Sequence, residues 1–198
     1  MEGKAADGSR RPETTIGDRN LNTEILLPAL LFMQGVIGGI DTLLNHEMIV
    51  RLPHQIEART EVGVHVLREA IYGALFLALG WRAWHGGYAA FIGVLLVAAI
   101  SIDAIDELVE NRTRVLPQNE RMLHFFLILN LGFITLVLVP TLLDWSSRAA
   151  ALTPVDHGLL SWSLSTLALA AISWSIRDFL AWRKLHRASS RDDGIYVQ

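Results

Sequence analysis

Long apolar stretches alternate with short polar segments along this chain. Crossing the roughly 30 Å hydrocarbon layer of a membrane takes a helix of about 20 mostly apolar residues. Five stretches meet that length, and the predicted spans cover residues 24 to about 45, about 57 to 84, 88–110, 119–145 and 157 to about 182. The connections between them are short, so consecutive helices are expected to run antiparallel.

Apolar residues occupy all faces of these predicted helices instead of forming one stripe along each helix. The segments FIGVLLVAAISI (91–102) and LILNLGFITLVLVPTLL (127–143) lack the polar face that a helix on the surface of a soluble bundle shows. Aromatic side chains lie near the predicted span ends, where amphipathic rings favour the headgroup layer. They are Trp81, Trp84, Tyr88, Trp145, Trp162, Trp174 and Trp182. The predicted fold is therefore all-α, an integral membrane helical bundle with five transmembrane helices.

Composition points the same way. Of the 198 residues, 52% are hydrophobic and 19% are charged, whereas soluble domains carry about 25% charged residues. The chain has no cysteine, which excludes thiolate zinc sites, iron–sulfur clusters and a cysteine nucleophile. A formal net charge of −3 gives no general reason to expect a nucleic acid partner. The expected partner is the lipid bilayer.

The chain divides into one domain and two tails. Residues 1–23 are polar and lack the apolar region of a cleaved signal, so they are predicted to be a disordered N-terminal arm. Residues 24–187 are predicted to form a single transmembrane helical domain. Residues 188–198 are predicted to be a flexible C-terminal tail.

Basic residues near the span ends predict the orientation. Six of them fall on the side of the N-terminal arm, namely Lys4, Arg10, Arg11, Arg19, Arg82 and Arg148. The other eleven fall on the opposite side, namely Arg51, Arg59, Arg68, Arg112, Arg114, Arg121, Arg177, Arg183, Lys184, Arg187 and Arg191. The second side, with the C-terminus, is therefore predicted to be cytoplasmic in a bacterial-type inner or plasma membrane.

Acidic and histidine residues collect at one end of the bundle. Charged groups at membrane depth are costly and usually mark function. Antiparallel topology brings four helix ends to the same face of the membrane. These ends carry Asp41, Asn45, His46 and Glu47; Glu57, Glu61, His65 and Glu69; Asp103, Asp106, Glu107 and Glu110; and Glu120 and His124.

Spacing turns this collection into a predicted metal site. Residues four apart share a helix face, and carboxylate with imidazole suits hard or borderline metal ions. The predicted ligands are Glu47, Glu61, His65, Asp106, Glu110, Glu120 and His124. Asp103 and Glu107 are additional candidate ligands. Whether Asp41 or Glu47 completes the ligand set depends on where the first helix ends. Divalent ions would remove the mutual repulsion of so many carboxylates.

The layout of these four helix ends resembles the ferritin-like di-iron and di-manganese carboxylate bundles. In those proteins two helices give one Glu each, and two give a Glu-x-x-His pair. Here the pairs are Glu61–His65 and Glu120–His124, which are one residue wider. The resemblance covers the four helix ends alone. It implies a site-bearing four-helix bundle and two metal ions, iron first, with manganese or zinc also compatible.

Four functions remain open at this stage. The first is a membrane-bound di-metal oxidoreductase that acts with dioxygen on a lipid-phase small molecule such as an acyl chain, isoprenoid or quinol. The second is a zinc-dependent lipid hydrolase, and the third is a haem protein with His65 and His124 as axial ligands. The fourth is a non-catalytic scaffold or transport subunit. The small residues Gly35 and Gly39 lie on one face of the first helix and permit close helix packing, within the chain or in a homo-oligomer.

Overall fold

The structure is a computed structural model that describes residues 16–113 and 115–192, with side chains over 25–113 and 115–188. The predicted arm over 1–15 and the end of the predicted tail over 193–198 lie outside the described residues. So does Arg114. The described part of the chain is mostly helical, as the sequence predicts.

Five long α-helices make up the fold. They are α1 (Ile16–Asp41), α2 (Arg59–Trp81), α3 (Ala89–Thr113), α4 (Gln118–Ser146) and α5 (Leu159–Asp192). A π-helix (Thr42–Ile49) continues α1, and two short 3-10 turns (Leu52–His54, Gly86–Tyr88) lie in the connections. Each of the five is long and apolar enough to cross a membrane.

Two helices extend beyond the predicted domain of residues 24–187. Helix α1 begins at Ile16, inside the predicted arm, and α5 continues to Asp192, inside the predicted tail. The end of α5 packs on the α1–α2 connection, where Leu185 and Trp182 contact Leu52, Ala58 and Val62. This apolar contact explains why α5 extends past the end of the predicted fifth span.

A small antiparallel sheet joins two connections at one end of the bundle. Strand β1 (Arg82–His85) follows α2, and β2 (Ala151–Pro154) precedes α5. Arg82 pairs with Pro154, and His85 pairs with Ala151. Because β2 is tied to β1, the chain leaving α4 crosses to the side of α2 before α5 begins.

The helices pack as a ring in the order α1, α4, α3, α2, α5, with α5 returning to α1. The last two helices of the chain are therefore not packing neighbours, which differs from the simple succession that short connections predict. Helices α2 and α5 approach closely at two places, since a Cβ at Gly73 would lie 2.8 Å from Ile172 and one at Gly63 would lie 3.0 Å from Trp182.

The interior of the ring has an apolar half and a polar half. The half nearer the sheet is filled by large side chains such as Leu75, Ile92, Ile134, Leu138 and Leu164, all at most 2% exposed. The outer surface of the ring is also apolar, with Leu136, Val94 and Leu169 among its exposed residues. An apolar exterior of this kind is typical of helices that face lipid.

Candidate metal centre

The polar half of the ring lies where α1 ends, α2 begins, α3 ends and α4 begins. Four carboxylates from these four helices, Asp41, Glu61, Glu110 and Glu120, are completely buried. Three histidines, His46, His65 and His124, are buried among them. Helix α5 supplies no member of the metal-ligating groups found among the described residues.

A change of helix type positions the first pair of ligands. Helix α1 ends at Asp41 and the chain continues as a π-helix, in which residues five apart are joined by hydrogen bonds. Asp41 and His46 therefore reach the interior together, and His46 Nε2 lies 3.5 Å from Asp41 Oδ2. Asn45 is buried beside them, and its Nδ2 donates to Asp41 Oδ1 over 2.6 Å. π-helical turns are frequent at functional sites.

Ordinary α-helical spacing positions the other ligands. On α2, Glu61 and His65 are four residues apart and both point inward. On α3, Asp106 and Glu110 do the same, and His65 Nε2 lies 3.2 Å from Asp106 Oδ1. On α4, Glu120 and His124 form the third such pair.

Glu110 lies between the histidines of opposite helices. Its Oε1 is 3.5 Å from His65 Nε2 and 3.9 Å from His46 Nε2, whereas its Oε2 is 3.3 Å from His124 Nδ1. The two oxygens of this one carboxylate therefore face different sets of nitrogen atoms. A carboxylate in that position is suited to bridging two metal ions.

The ligand atoms fall into three overlapping groups, two of four residues and one of three, each compact enough for one ion. Within each group the ligand atoms all lie within 4.8 Å of one another. The two four-residue groups are Asp41, His46, Glu120 and His124, and His46, Glu61, His65 and Glu110, which share His46. The three-residue group is Glu107, Glu110 and His124.

Several of the best ligand atoms make no hydrogen bond. Both ring nitrogens of His46 are buried without a hydrogen-bond partner within the described ranges, and His65 Nε2 and Asp106 Oδ1 lie 3.2 Å apart without forming a hydrogen bond. Burying a polar atom without a partner costs roughly 1–3 kcal/mol. A metal ion bound by these atoms would remove that cost, so the residues present fit a metal.

A second layer of side chains holds the ligands in place. Arg68 donates from Nη1 to Asp106 Oδ2, and its Nη2 lies 3.9 Å from Asp41 Oδ2. Thr113 donates to Glu61 Oε2 over 3.2 Å. Asn119 donates to Asn45 Oδ1 over 2.7 Å, which links α4 to the π-helix. Partners of this kind fix ligand orientation in metal sites.

Glu47 is the predicted ligand that the structure places elsewhere. It is partly exposed, and its Oε1 lies 2.5 Å from Arg177 Nη1 of α5. The π-helix is the physical reason, because it rotates His46 into the interior and Glu47 toward α5. The sequence analysis left the choice between Asp41 and Glu47 open, and the interior position belongs to Asp41.

The other six predicted ligands are brought together. Glu61, His65, Glu110, Glu120 and His124 belong to the two ligand groups, and Asp106 contacts His65 from the edge. Of the two additional candidate ligands, Glu107 is partly exposed, and its Oε2 lies 3.2 Å from His124 Nδ1. Asp103 is held by the hydroxyl of Tyr72, which donates to its Oδ2 over 2.6 Å.

His46 is the site residue that the sequence analysis did not select. Its neighbours in sequence, Asp41 and Asn45, are polar residues inside an apolar span, and that is the available signal. A regular α-helix would not bring positions 41 and 46 to one face, so the periodicity argument passed over His46.

Comparison with known proteins leaves the chain without an assigned relative. No family model, no curated protein and no solved structure matches it.

Proposed function

We propose that this chain is a membrane-embedded metalloprotein with a two-metal carboxylate–histidine centre. The observation that carries the proposal is the position of Glu110, whose Oε1 faces His65 and whose Oε2 faces His124, one histidine from each of the two four-residue ligand groups. The unpartnered nitrogens of His46 and His65 support it, since neutral imidazole is a common metal ligand.

We further propose that the two ions are iron and that the centre belongs to an oxidoreductase. Four carboxylates and no sulfur form the ligand set of the di-iron and di-manganese carboxylate proteins. Bound iron would supply the ability to activate dioxygen for oxidation of a small molecule dissolved in the bilayer. The protein's own contribution is to hold the ligands, through Asn45, Thr113 and Arg68, and to exclude water with the apolar core.

A zinc hydrolase is the second candidate, and His46 favours it. Zinc hydrolases commonly use three nitrogen ligands or two with one carboxylate, and His46 brings the number of buried histidines at this site to three. Four buried carboxylates exceed what a single catalytic zinc takes, which is why iron is placed first.

The haem and transport hypotheses receive less support. The carboxylate of Glu110 lies between His65 and His124, in the space that a porphyrin ring would need. A transport pathway needs polar groups through the whole bundle, and the half nearer the sheet is filled by residues such as Ile92 and Leu138.

Metal analysis of the purified protein tests the proposal. We expect about two iron ions per chain in the wild type and almost none in the double variant His65→Ala/His124→Ala, which removes nitrogen ligands from both groups. His54→Ala is the matched control, because His54 is exposed. Zinc in place of iron would favour the hydrolase, and metal contents that are equally low in all three proteins would refute a metal centre.

We also propose that the site end of the bundle faces the cytoplasm, on the strength of the eleven basic residues on that side. The chain has no cysteine, so single cysteines report sidedness without background. With a membrane-impermeant maleimide on intact cells, we expect Ala149→Cys to react and Glu57→Cys to react only after lysis. Both residues are exposed, at opposite ends of the bundle. The reverse pattern would overturn the orientation.

A further inference from the structure

A cavity opens from the side of the bundle and ends at the candidate metal centre. It is lined by residues from all five α-helices and has a volume of about 190 Å³. At its inner end are His124 and Asp106, and at its outer end are the exposed residues Gly39, Leu43 and Ala170. The opening lies on the apolar outer surface, so a ligand would enter from the bilayer.

The size and lining of the cavity suit a ring with an apolar tail. A cavity of about 150 Å³ with apolar walls is known to hold benzene, so this one accommodates a substituted six-membered ring. Aromatic walls are supplied by Tyr72, Phe76 and Trp174. Gly38 and Gly39 of α1 leave the space open, since a Cβ at Gly39 would meet nothing within 4 Å.

Three hydrogen bonds beside the cavity form a series that leads to Asp103. Asn130 donates to Gln34 over 2.8 Å, Gln34 donates to Tyr72 over 3.1 Å, and Tyr72 donates to Asp103 Oδ2 over 2.6 Å. The other oxygen of Asp103, Oδ1, is buried without a hydrogen-bond partner in the part of the chain that is described. This chain of donors ends on an acceptor that requires one more donor.

Two further buried atoms on the cavity wall have no hydrogen-bond partner within the described residues. They are Oε2 of Glu69, a residue only 9% exposed, and the indole Nε1 of Trp174. Glu69 belongs to α2 and Asp103 to α3, so the acceptors come from different helices. A ligand with more than one hydroxyl group would satisfy both.

The charge of the wall disfavours anionic headgroups. Glu69, Asp103, Asp106 and Glu107 line the cavity, against one guanidinium, that of Arg68. The Arg68 guanidinium is already in contact with Asp106. A fatty acid carboxylate or a lipid phosphate would meet repulsion there, whereas a neutral hydroxyl donor would not.

We propose that the cavity binds a hydroquinone with an apolar tail, whose hydroxyl donates to Asp103 beside the metal centre. This substrate class rests on the proposed oxidoreductase function. Oxidation of two hydroquinones to quinones releases four electrons and four protons, which one dioxygen molecule takes up to form two molecules of water. Asp103 and Glu69 act as the binding acceptors, and the tail extends past Gly39 into the bilayer.

Binding to the full-length protein as purified tests this inference by a readout other than activity. Three probes with the same decyl tail are titrated anaerobically into detergent-purified protein by calorimetry: a decyl hydroquinone, decanol and decanoate. We expect one hydroquinone per chain, bound about tenfold or more tightly than either other probe, in line with one additional buried hydrogen bond. Asp103→Asn, which removes the free acceptor, should weaken hydroquinone binding by about tenfold.

Glycine variants supply the matched comparison. Gly38→Leu fills the cavity, and a Cβ there meets only Leu127 at 3.9 Å, so the fold should tolerate it; Gly39→Leu provides a second blocking variant. Gly132→Leu makes the same change on α4, at a glycine where a Cβ would meet nothing within 4 Å and which does not line this cavity. Hydroquinone binding should be lost in the first two and unchanged in the third.

The outcomes separate the two proposals. Equal affinity for the three probes, or unchanged binding in both blocking variants, would overturn the hydroquinone site even if the wild type holds two metal ions. Selective hydroquinone binding that Gly38→Leu abolishes would uphold the site even if metal analysis finds no iron.

Discussion

Replacing Glu110 by glutamine should lower bound metal from about two ions per chain to one or none. Glu110 is the residue whose two oxygens face one histidine from each of the four-residue ligand groups, at 3.3 Å from His124 and 3.5 Å from His65. The amide keeps the shape of the side chain but loses the charge and one of the two ligand oxygens. Loss of supporting partners alone costs 10–100-fold in metal affinity, so loss of this ligand should cost about 100-fold or more. Metal content after dialysis against graded chelator measures the change.

Glu47→Gln is the control for that experiment. The substitution is chemically the same, and Glu47 lies in the neighbouring π-helix, but its carboxylate pairs with Arg177 at a partly exposed position. A pair of this kind contributes roughly 0–1 kcal/mol to stability. Metal retention in Glu110→Gln equal to that in Glu47→Gln would contradict a bridging role for Glu110.

The sequence predicts the helical content and the convergence of the four helix ends. Both follow from local rules: span length predicts the five helices, and alternation of direction places Glu61, Glu110 and Glu120 in one layer. These three residues also have helical partners four positions away, so α-periodicity suffices to place them. The prediction of which residues face the interior fails at the π-helix that follows α1.

Asp41 and His46 show why the remainder of the site could not be predicted. Their common orientation depends on the π-helix from Thr42 to Ile49, and π-helical turns carry no sequence signature that outweighs the far commoner α-helix. The order of the helices is also not local information. Helix α5 packs on α2 because β2 pairs with β1 across some seventy residues of chain, and the short strands Arg82–His85 and Ala151–Pro154 lack an alternating pattern.

The cavity follows from that same non-local packing. Its walls combine Gly38 of α1 and Leu43 of the π-helix with Leu127 of α4 and Ala170 of α5. The small residues of α1 suggest a close helix contact when read as sequence. Gly35 does make such a contact within the chain, since a Cβ there would lie 2.7 Å from Leu167, whereas Gly38 and Gly39 line open space instead. One small-residue face therefore packs against α5 at one end and lines the cavity at the other.

Removing the metal should destabilise the protein strongly. Four completely buried carboxylates, Asp41, Glu61, Glu110 and Glu120, would then repel one another in a low-dielectric interior. An ion held at about a thousandfold excess over its dissociation constant stabilises the folded state by about 4 kcal/mol. For a chain of this size that corresponds to a fall in Tm of roughly 8–16 °C on chelation. Thermal unfolding in detergent, with and without chelator, measures the shift.

A charge-neutral variant should abolish this dependence of Tm on chelator. The fourfold change Asp41→Asn, Glu61→Gln, Glu110→Gln and Glu120→Gln removes the repulsion together with the ligands, so chelator should leave its Tm unchanged. In chelator, its Tm should exceed that of the wild type, because buried charges that lack a counter-ion cost more than neutral amides of the same shape. Glu57→Gln, at an exposed position, should behave as the wild type does. If chelator leaves the wild-type Tm unmoved, or if the fourfold variant in chelator unfolds well below the metal-free wild type, the buried carboxylates are not held together by a cation.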